Sequence, residues 1–192
     1  MEKSCTVKEL LASLRLVMIS KVGSQWILAD KTGERMFTMP ENWDISEVKC
    51  LLENKALVGH SMDDILKELL EKGFKIHFND IFDLWIMENQ LFPWLPESKE
   101  PCSIINSIRR YAQCDAPGFT NELSREQWIV KHFLVMMKAQ KKMLEGIDDT
   151  YGLGTSIRLV GEEQKKHFIS IFKKMGYQGE EITKQYNLLF RF

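Results

Sequence analysis

The sequence is short of most features that announce a particular chemistry. Its four cysteines, Cys5, Cys50, Cys102 and Cys114, never fall into a CxxC spacing, so a zinc site is not expected. The four histidines, His60, His77, His132 and His167, form no HExxH or other ligand-pair spacing; His132 and His167 fall on apolar helix faces and are expected as core residues. Gly152-Leu153-Gly154 belongs to neither a GxGxxG nor a GK[ST] phosphate loop. No nucleophile elbow occurs, and Cys114 beside Asp115 has no neighbour in the sequence to activate it. No apolar run approaches the length of a membrane span. The start, MEKSCTVKELLASL, lacks the apolar core of a secretory signal. These absences lead to the expectation of a cytoplasmic protein with reduced thiols.

Charge is also nearly absent as a net quantity. A formal charge of −1 over 192 residues exerts no global pull on nucleic acid. Its distribution is uneven, however. Residues 1–124 carry 14 basic and 19 acidic groups, whereas residues 125–192 carry 12 and 8. The basic C-terminal third points either to an anionic partner or to ordinary solvated helix faces.

What is present is a well-patterned α/β chain. A 44% hydrophobic content is enough for a packed core. Thr6 and Glu9 make a capping box for a helix over Thr6–Leu14, with Leu10, Leu11 and Leu14 on one face. Leu16–Ile19 and Trp26–Asp30 read as strands, and Lys31-Thr32-Gly33-Glu34 as the turn into a return strand, Arg35–Met39. Asp44–Leu52 reads as a helix with Val48, Leu51 and Leu52 inward. A strand ending at Leu57-Val58 leads to a helix that Ser61 and Asp64 would cap, with Ile65, Leu66, Leu69 and Leu70 as its stripe. Phe74, Ile76 and Phe78 alternate like a half-buried strand. Asp80 is expected to cap the next helix, which Pro93 and Pro96 end. A helix over Ser103–Tyr111, a loop to Leu123, one long helix from Ser124 or Arg125 to Gly146, a break at Asp148–Gly154 and a helix over Glu162–Met175 complete the pattern.

The stretch from residue 56 to residue 96, ALVGHSMDDILKELLEKGFKIHFNDIFDLWIMENQLFPWLP, resembles the middle of the proofreading 3′–5′ exonuclease domain of family A (pol I-like) DNA polymerases. The matching pieces are Val58–Leu70, Glu71-Lys72-Gly73-Phe74-Lys75-Ile76, and Phe82-Asp83-Leu84-Trp85 through Phe92-Pro93. The resemblance implies an RNase H-like α/β fold: a mixed sheet of about five strands, helices on both faces, and a C-terminal helical extension. It places an exonuclease-like domain over residues 1–146 and an extension toward a polymerase part or partner over 147–192.

The same resemblance implies two-metal hydrolysis of phosphodiesters, which needs clustered carboxylates because hard divalent cations take anionic oxygen ligands. The family draws two of these from an Asp-x-Glu on the first strand. Here no acidic residue occurs between Glu9 and Asp30. In the second motif, ungapped counting from Gly73 puts Ser61 and Ile65 where the family has its Asn and catalytic Asp, with Asp63 and Asp64 displaced by about 100° of helix per residue. Tyr111-Ala112-Gln113-Cys114-Asp115 echoes the third motif, but runs into a Pro117-Gly118 turn. The expectation is a vestigial, catalytically inactive exonuclease-like domain with no cofactor, a structural or DNA-contacting module of a family A polymerase. One alternative is an active nuclease holding Mg²⁺ or Mn²⁺ on a rewired set drawn from Asp63, Asp64, Asp80, Asp83, Tyr111 and Asp115; another is a stand-alone protein-interaction module. Weak, sequence-independent DNA binding is expected from Lys138, Lys141, Lys142, Lys165 and Lys166, and a protein contact from the apolar tail Leu188-Leu189-Phe190-Arg191-Phe192.

Overall fold

A computed structural model describes residues 6–39, 41–73, 77–91 and 103–151, together with short stretches between 165 and 183. Five strands form one mixed sheet in the order β3-β2-β1-β4-β5. The strands are β1 (Leu16–Val22), β2 (Gln25–Ala29), β3 (Met36–Met39), β4 (Ala56–Gly59) and β5 (Asp80–Asp83). β1, β2 and β3 run as an antiparallel meander, with Met18 opposite Ala29 and Trp26 opposite Met39. β1, β4 and β5 are parallel, with Val17 opposite Leu57 and Gly59 opposite Asp83.

The period-two alternation of β1 sorts its side chains into two cores. Val17 and Ile19 join Trp26, Leu28 and Leu57 under helices α1 (Val7–Ser13), α2 (Ile45–Leu52) and α3 (Asp63–Glu71). Met18 joins Ile27, Ala29 and Val58 on the other face. There the sheet is covered by α4 (Leu84–Leu91), α5 (Ile104–Ala112), α6 (Glu122–Lys131) and α7 (Phe133–Tyr151). The expected α/β architecture with helices on both faces is therefore present. Phe172 and Ile182 are buried in the same core as Leu11 and Val17, so part of the stretch beyond residue 146 packs directly on the sheet's first face.

Local signals account for several elements. Thr6 caps α1 by accepting from the Glu9 N–H, and the Glu9 carboxylate accepts from the Thr6 N–H, completing the box. The last turn of α1 is closed by Lys55, whose buried ammonium donates to the carbonyls of Leu11 (2.7 Å) and Ala12 (2.6 Å). Gly33, at φ +67°, turns the β2–β3 hairpin in a conformation that L side chains rarely adopt, and a Cβ there would stand 2.5 Å from the Lys131 Cα. The hairpin tip and the end of α6 thus lie in contact.

Three expectations need correction, and a fourth falls outside the described residues. Asp80 is not a helix cap: it opens β5, and Asp83 is the residue that caps α4. The alternation at Phe74 and Ile76 falls outside the described residues; Phe78 makes an isolated bridge before the strand proper. Ser61 and Asp64 form no capping box on α3, because Ser61 adopts φ +54° and the N-cap, Met62, has no side-chain bond to the helix. The long helix is two helices that meet at His132, and the second continues to Tyr151, past the break expected from Asp148. The first of them starts at Glu122, ahead of Ser124 or Arg125, and is capped by Asn121.

The element that holds this edge of the sheet is Asp83. Its fully buried carboxylate accepts from the Ser61 N–H (3.1 Å), Met62 N–H (2.9 Å), Trp85 N–H (2.9 Å) and Ile86 N–H (3.4 Å). It caps α4 from its own chain position and stands in for the missing cap at the entrance of α3. Burial pushes the pKa of Asp83 upward, against these four backbone N–H groups, each of which favours the anion. An Asp83→Ala variant would leave several buried N–H groups unsatisfied, at about 1–3 kcal/mol each. We expect it to lose about 3–5 kcal/mol in urea denaturation, with Asp83→Asn intermediate because an amide offers one acceptor oxygen. A loss below about 1 kcal/mol would show that the carboxylate does not hold the two turns.

Candidate cleft at the carboxyl ends of the parallel strands

Open α/β sheets bind ligands beyond the carboxyl ends of their parallel strands, where neighbouring strands send their chains to opposite faces. β4 and β5 send their chains to opposite faces, into α3 and α4, and on the other side of β4 the chains of β1 and β4 also diverge. From β1 the chain turns back into the β2 hairpin, while from β4 it enters α3. A cavity of about 290 Å³ opens there. β1 and its turn supply Ser20, Lys21 and Gly23; the β4–α3 turn supplies His60 and Ser61; α3 supplies Asp64 and Ile65; α6 supplies Glu126.

Each side chain has a definite position. Ser20 follows the alternation of β1 onto the second face, where its hydroxyl donates to Glu126 Oε1 at 2.5 Å. Lys21 points the other way and pairs with Glu68 of α3 at 2.9 Å. Glu68 also accepts from the Trp26 indole at 3.0 Å. Burial works against the Glu68 carboxylate, but Lys21, Trp26 and Lys72 outweigh it and hold its pKa below the ordinary value. The cleft wall on β1 therefore carries a hydroxyl and an ammonium. An ammonium at this wall raises the cost of placing a divalent cation beside it.

The aspartates named from the sequence do not converge. Asp63 and Asp64 share Lys67, at 3.3 and 3.4 Å. Asp64 borders the cleft, but its side chain is 74% exposed. Asp80 is exposed and sits opposite Ala56, at the far end of β5 from the cleft. Asp83 lies at the near end, opposite Gly59, with its oxygens committed to four N–H groups. Asp115 is 85% exposed and pairs with Arg109 at 2.8 Å. Among the described residues no three His, Cys, Asp or Glu side chains stand close enough to hold a metal ion.

Tyr111 belongs to a different polar centre, one that sequence reasoning missed. Its hydroxyl donates to Glu88 Oε2 at 2.5 Å, and burial together with that bond pushes its pKa well above the usual phenol value. Glu88, 3% exposed, also accepts from Ser107 Oγ (3.2 Å), Gln140 Nε2 (3.0 Å) and the Arg110 guanidinium. Gln140 donates in addition to the Leu84 carbonyl at 3.1 Å. This network ties α4, α5 and α7 together. The signal was available in the sequence: Glu88 stands between Leu84 and Leu91 at helical spacing, in an otherwise apolar stripe.

Glu126 was missed too. It precedes the apolar run Trp128-Ile129-Val130, and only the packing of α6 against β1 brings it to Ser20. Of the lysines, Lys138, Lys141 and Lys142 project from α7 into solvent, and Lys141 also lies 5.0 Å from the centroid of the Phe82 ring. Lys166 is exposed and Lys165 half-buried. The tail from residue 184 lies outside the described residues. Among those described, no helix is long and apolar enough to cross a membrane. No protein-family model matches the chain, and no curated protein is significantly similar to it.

His60 gives the cleft a pH signature. Burial depresses its pKa from 6.5 to about 4, so the folded protein holds it neutral while the unfolded chain protonates first as pH falls. Its contribution to stability is present above about pH 6.5 and is lost as pH falls toward 4. Between pH 7 and pH 5 we expect it to account for a loss of about 2 kcal/mol. Urea melts of the wild type and a His60→Gln variant at both pH values isolate this contribution. Identical pH dependence in the two proteins would contradict it.

Proposed function

We propose that this chain is an RNase H-like domain of the pol I-type exonuclease class that has lost its metal site and serves as a structural, DNA-contacting module. The observation that carries the reading is the cleft wall. β1 places Ser20 and Lys21, not carboxylates, at the carboxyl end of the sheet, and Lys21 is held there by Glu68. A hydrolytic two-metal site needs several anionic oxygens converging on one point; of the cleft's two acids Asp64 pairs with Lys67 and Glu126 accepts from Ser20, and Asp83 is committed to helix caps.

The arrangement of the strands supports the fold side of the proposal. An antiparallel meander followed by two parallel strands, each leading into a helix, is the sheet that the resemblance to family A exonuclease domains implies. On the binding side, Lys138, Lys141 and Lys142 lie three and four residues apart and so share one exposed face of α7. Lysines of this kind meet phosphates without reading sequence.

The decisive assay incubates the chain with 3′-labelled single-stranded DNA and Mg²⁺ or Mn²⁺. We expect no shortening of the strand. We also expect duplex DNA to bind weakly, irrespective of sequence, and to be released between about 50 and 200 mM salt. Binding should weaken in a Lys138→Glu, Lys141→Glu, Lys142→Glu variant. Metal-dependent degradation that disappears on Asp64→Ala would overturn the loss of catalysis, and equal DNA binding by both proteins would remove α7 from the contact.

A further inference from the structure

Cys114 has a partner that its sequence neighbours did not reveal. Its Sγ lies 3.4 Å from His132 Nε2, across eighteen residues of chain. The other ring nitrogen, Nδ1, lies 2.8 Å from the Trp128 carbonyl oxygen. A carbonyl can only accept, so Nδ1 carries the hydrogen, and in the neutral ring Nε2 presents its lone pair to the thiol. The three groups form a nucleophile, a base and a group that orients the base, the pattern that activates cysteine.

The surroundings fix the geometry of this pair. His132 stands at the C-terminal end of α6, where its backbone N–H reaches the Ile129 carbonyl. The Trp128 ring lies against the imidazole, centroid to centroid 4.4 Å, and restricts its rotation. The break between α6 and α7 at His132 puts the ring at this junction. Gln113, at φ +52°, turns the chain out of α5 and delivers Cys114 to it. Cys114 is a free thiol and only half-buried, so a small reagent can reach it. Asp115 next to it is paired with Arg109 at 2.8 Å.

We propose that Cys114 is a reactive thiol that undergoes reversible exchange with low-molecular-weight disulfides, with His132 as its base. The Cys114 proton passes to His132 Nε2, and the thiolate attacks one sulfur of the disulfide. A Cys114–sulfur bond forms as the reagent's sulfur–sulfur bond breaks. Cys114 is oxidised to the mixed disulfide, and the departing sulfur leaves as a thiolate that takes up a proton. Nothing in this step depends on the cleft between β1 and β4 or on Lys138, Lys141 and Lys142, so it is independent of the proposed function.

The test treats the full chain with glutathione disulfide at neutral pH and follows each cysteine peptide by mass spectrometry. Cys50, a free thiol exposed on α2, is the internal reference. Cys114 should form the mixed disulfide about tenfold faster than Cys50, despite its lower exposure. His132→Gln and His132→Ala should each slow Cys114 about tenfold while leaving the Cys50 rate unchanged. Cys114 reacting no faster than Cys50 in the wild type would overturn the proposal without recourse to any variant. So would an unchanged Cys114 rate in variants whose melting shows them folded.

Discussion

A single buried carboxylate sets the geometry of the edge where the cleft forms. Asp83 ends β5, caps α4 through Trp85 and Ile86, and reaches across to the Ser61 and Met62 N–H groups at the entrance of α3. Ser61 is held there at φ +54°, a conformation that costs a residue other than glycine about 1 kcal/mol or more. Two residues before it Gly59 ends β4, where a Cβ would come within 2.8 Å of Met62 Cγ and 2.9 Å of the Ile19 carbonyl oxygen. The close approach of β4 to β1, the left-handed turn and the start of α3 are therefore one unit. Because His60 and Ser61 lie inside that unit, Asp83 also fixes the floor of the cleft without lining it.

The same economy applies to the other acids. Glu88 gathers Ser107, Arg110, Tyr111 and Gln140 between three helices. Burying one carboxylate with so many donors is tolerable because each lone pair finds a partner, and removing a single donor would leave charge uncompensated. Glu68 neutralises Lys21 and receives Trp26. Glu126 is bound by Ser20. In each case the carboxylate closes a contact between elements distant in sequence. Among the described residues these carboxylates are committed to protein donors, and no three ligating side chains converge on one point.

Where an element is defined by its own residues, the sequence was a good guide. The Thr6–Glu9 box, the Gly33 turn and the apolar stripes of α2 and α3 are local patterns, and they lie where the periodicity puts them. The failures share a cause. Ser61 and Asp64 have the right spacing for a capping box, but a carboxylate twenty-two residues away supplies a better acceptor. Asp80 looks like a cap because nothing local distinguishes it from Asp83; pairing with Ala56 makes it strand. The joint at His132 carries no glycine or proline to mark it. Of the cleft, the absence of acid on β1 was legible at once, whereas Glu126 was not, since its role depends on α6 lying across the sheet. The pairing of Cys114 with His132 is hidden for the same reason.

The central claim is that the cleft between β1, β4, α3 and α6 does not hold the divalent cations on which an exonuclease depends. Manganese is the direct probe, because a paramagnetic ion broadens the resonances of every group within roughly ten to twenty ångströms of its binding site. Titrating Mn²⁺ into isotopically labelled protein and following the amide signals of Ser20, Lys21, His60, Ser61, Asp64 and Glu126 measures occupancy without any reaction. The account predicts that these signals broaden no more than those of the exposed acids elsewhere on the surface, and without saturation. Selective, saturable broadening centred on the cleft, abolished by Asp64→Ala or Glu126→Ala, would contradict it.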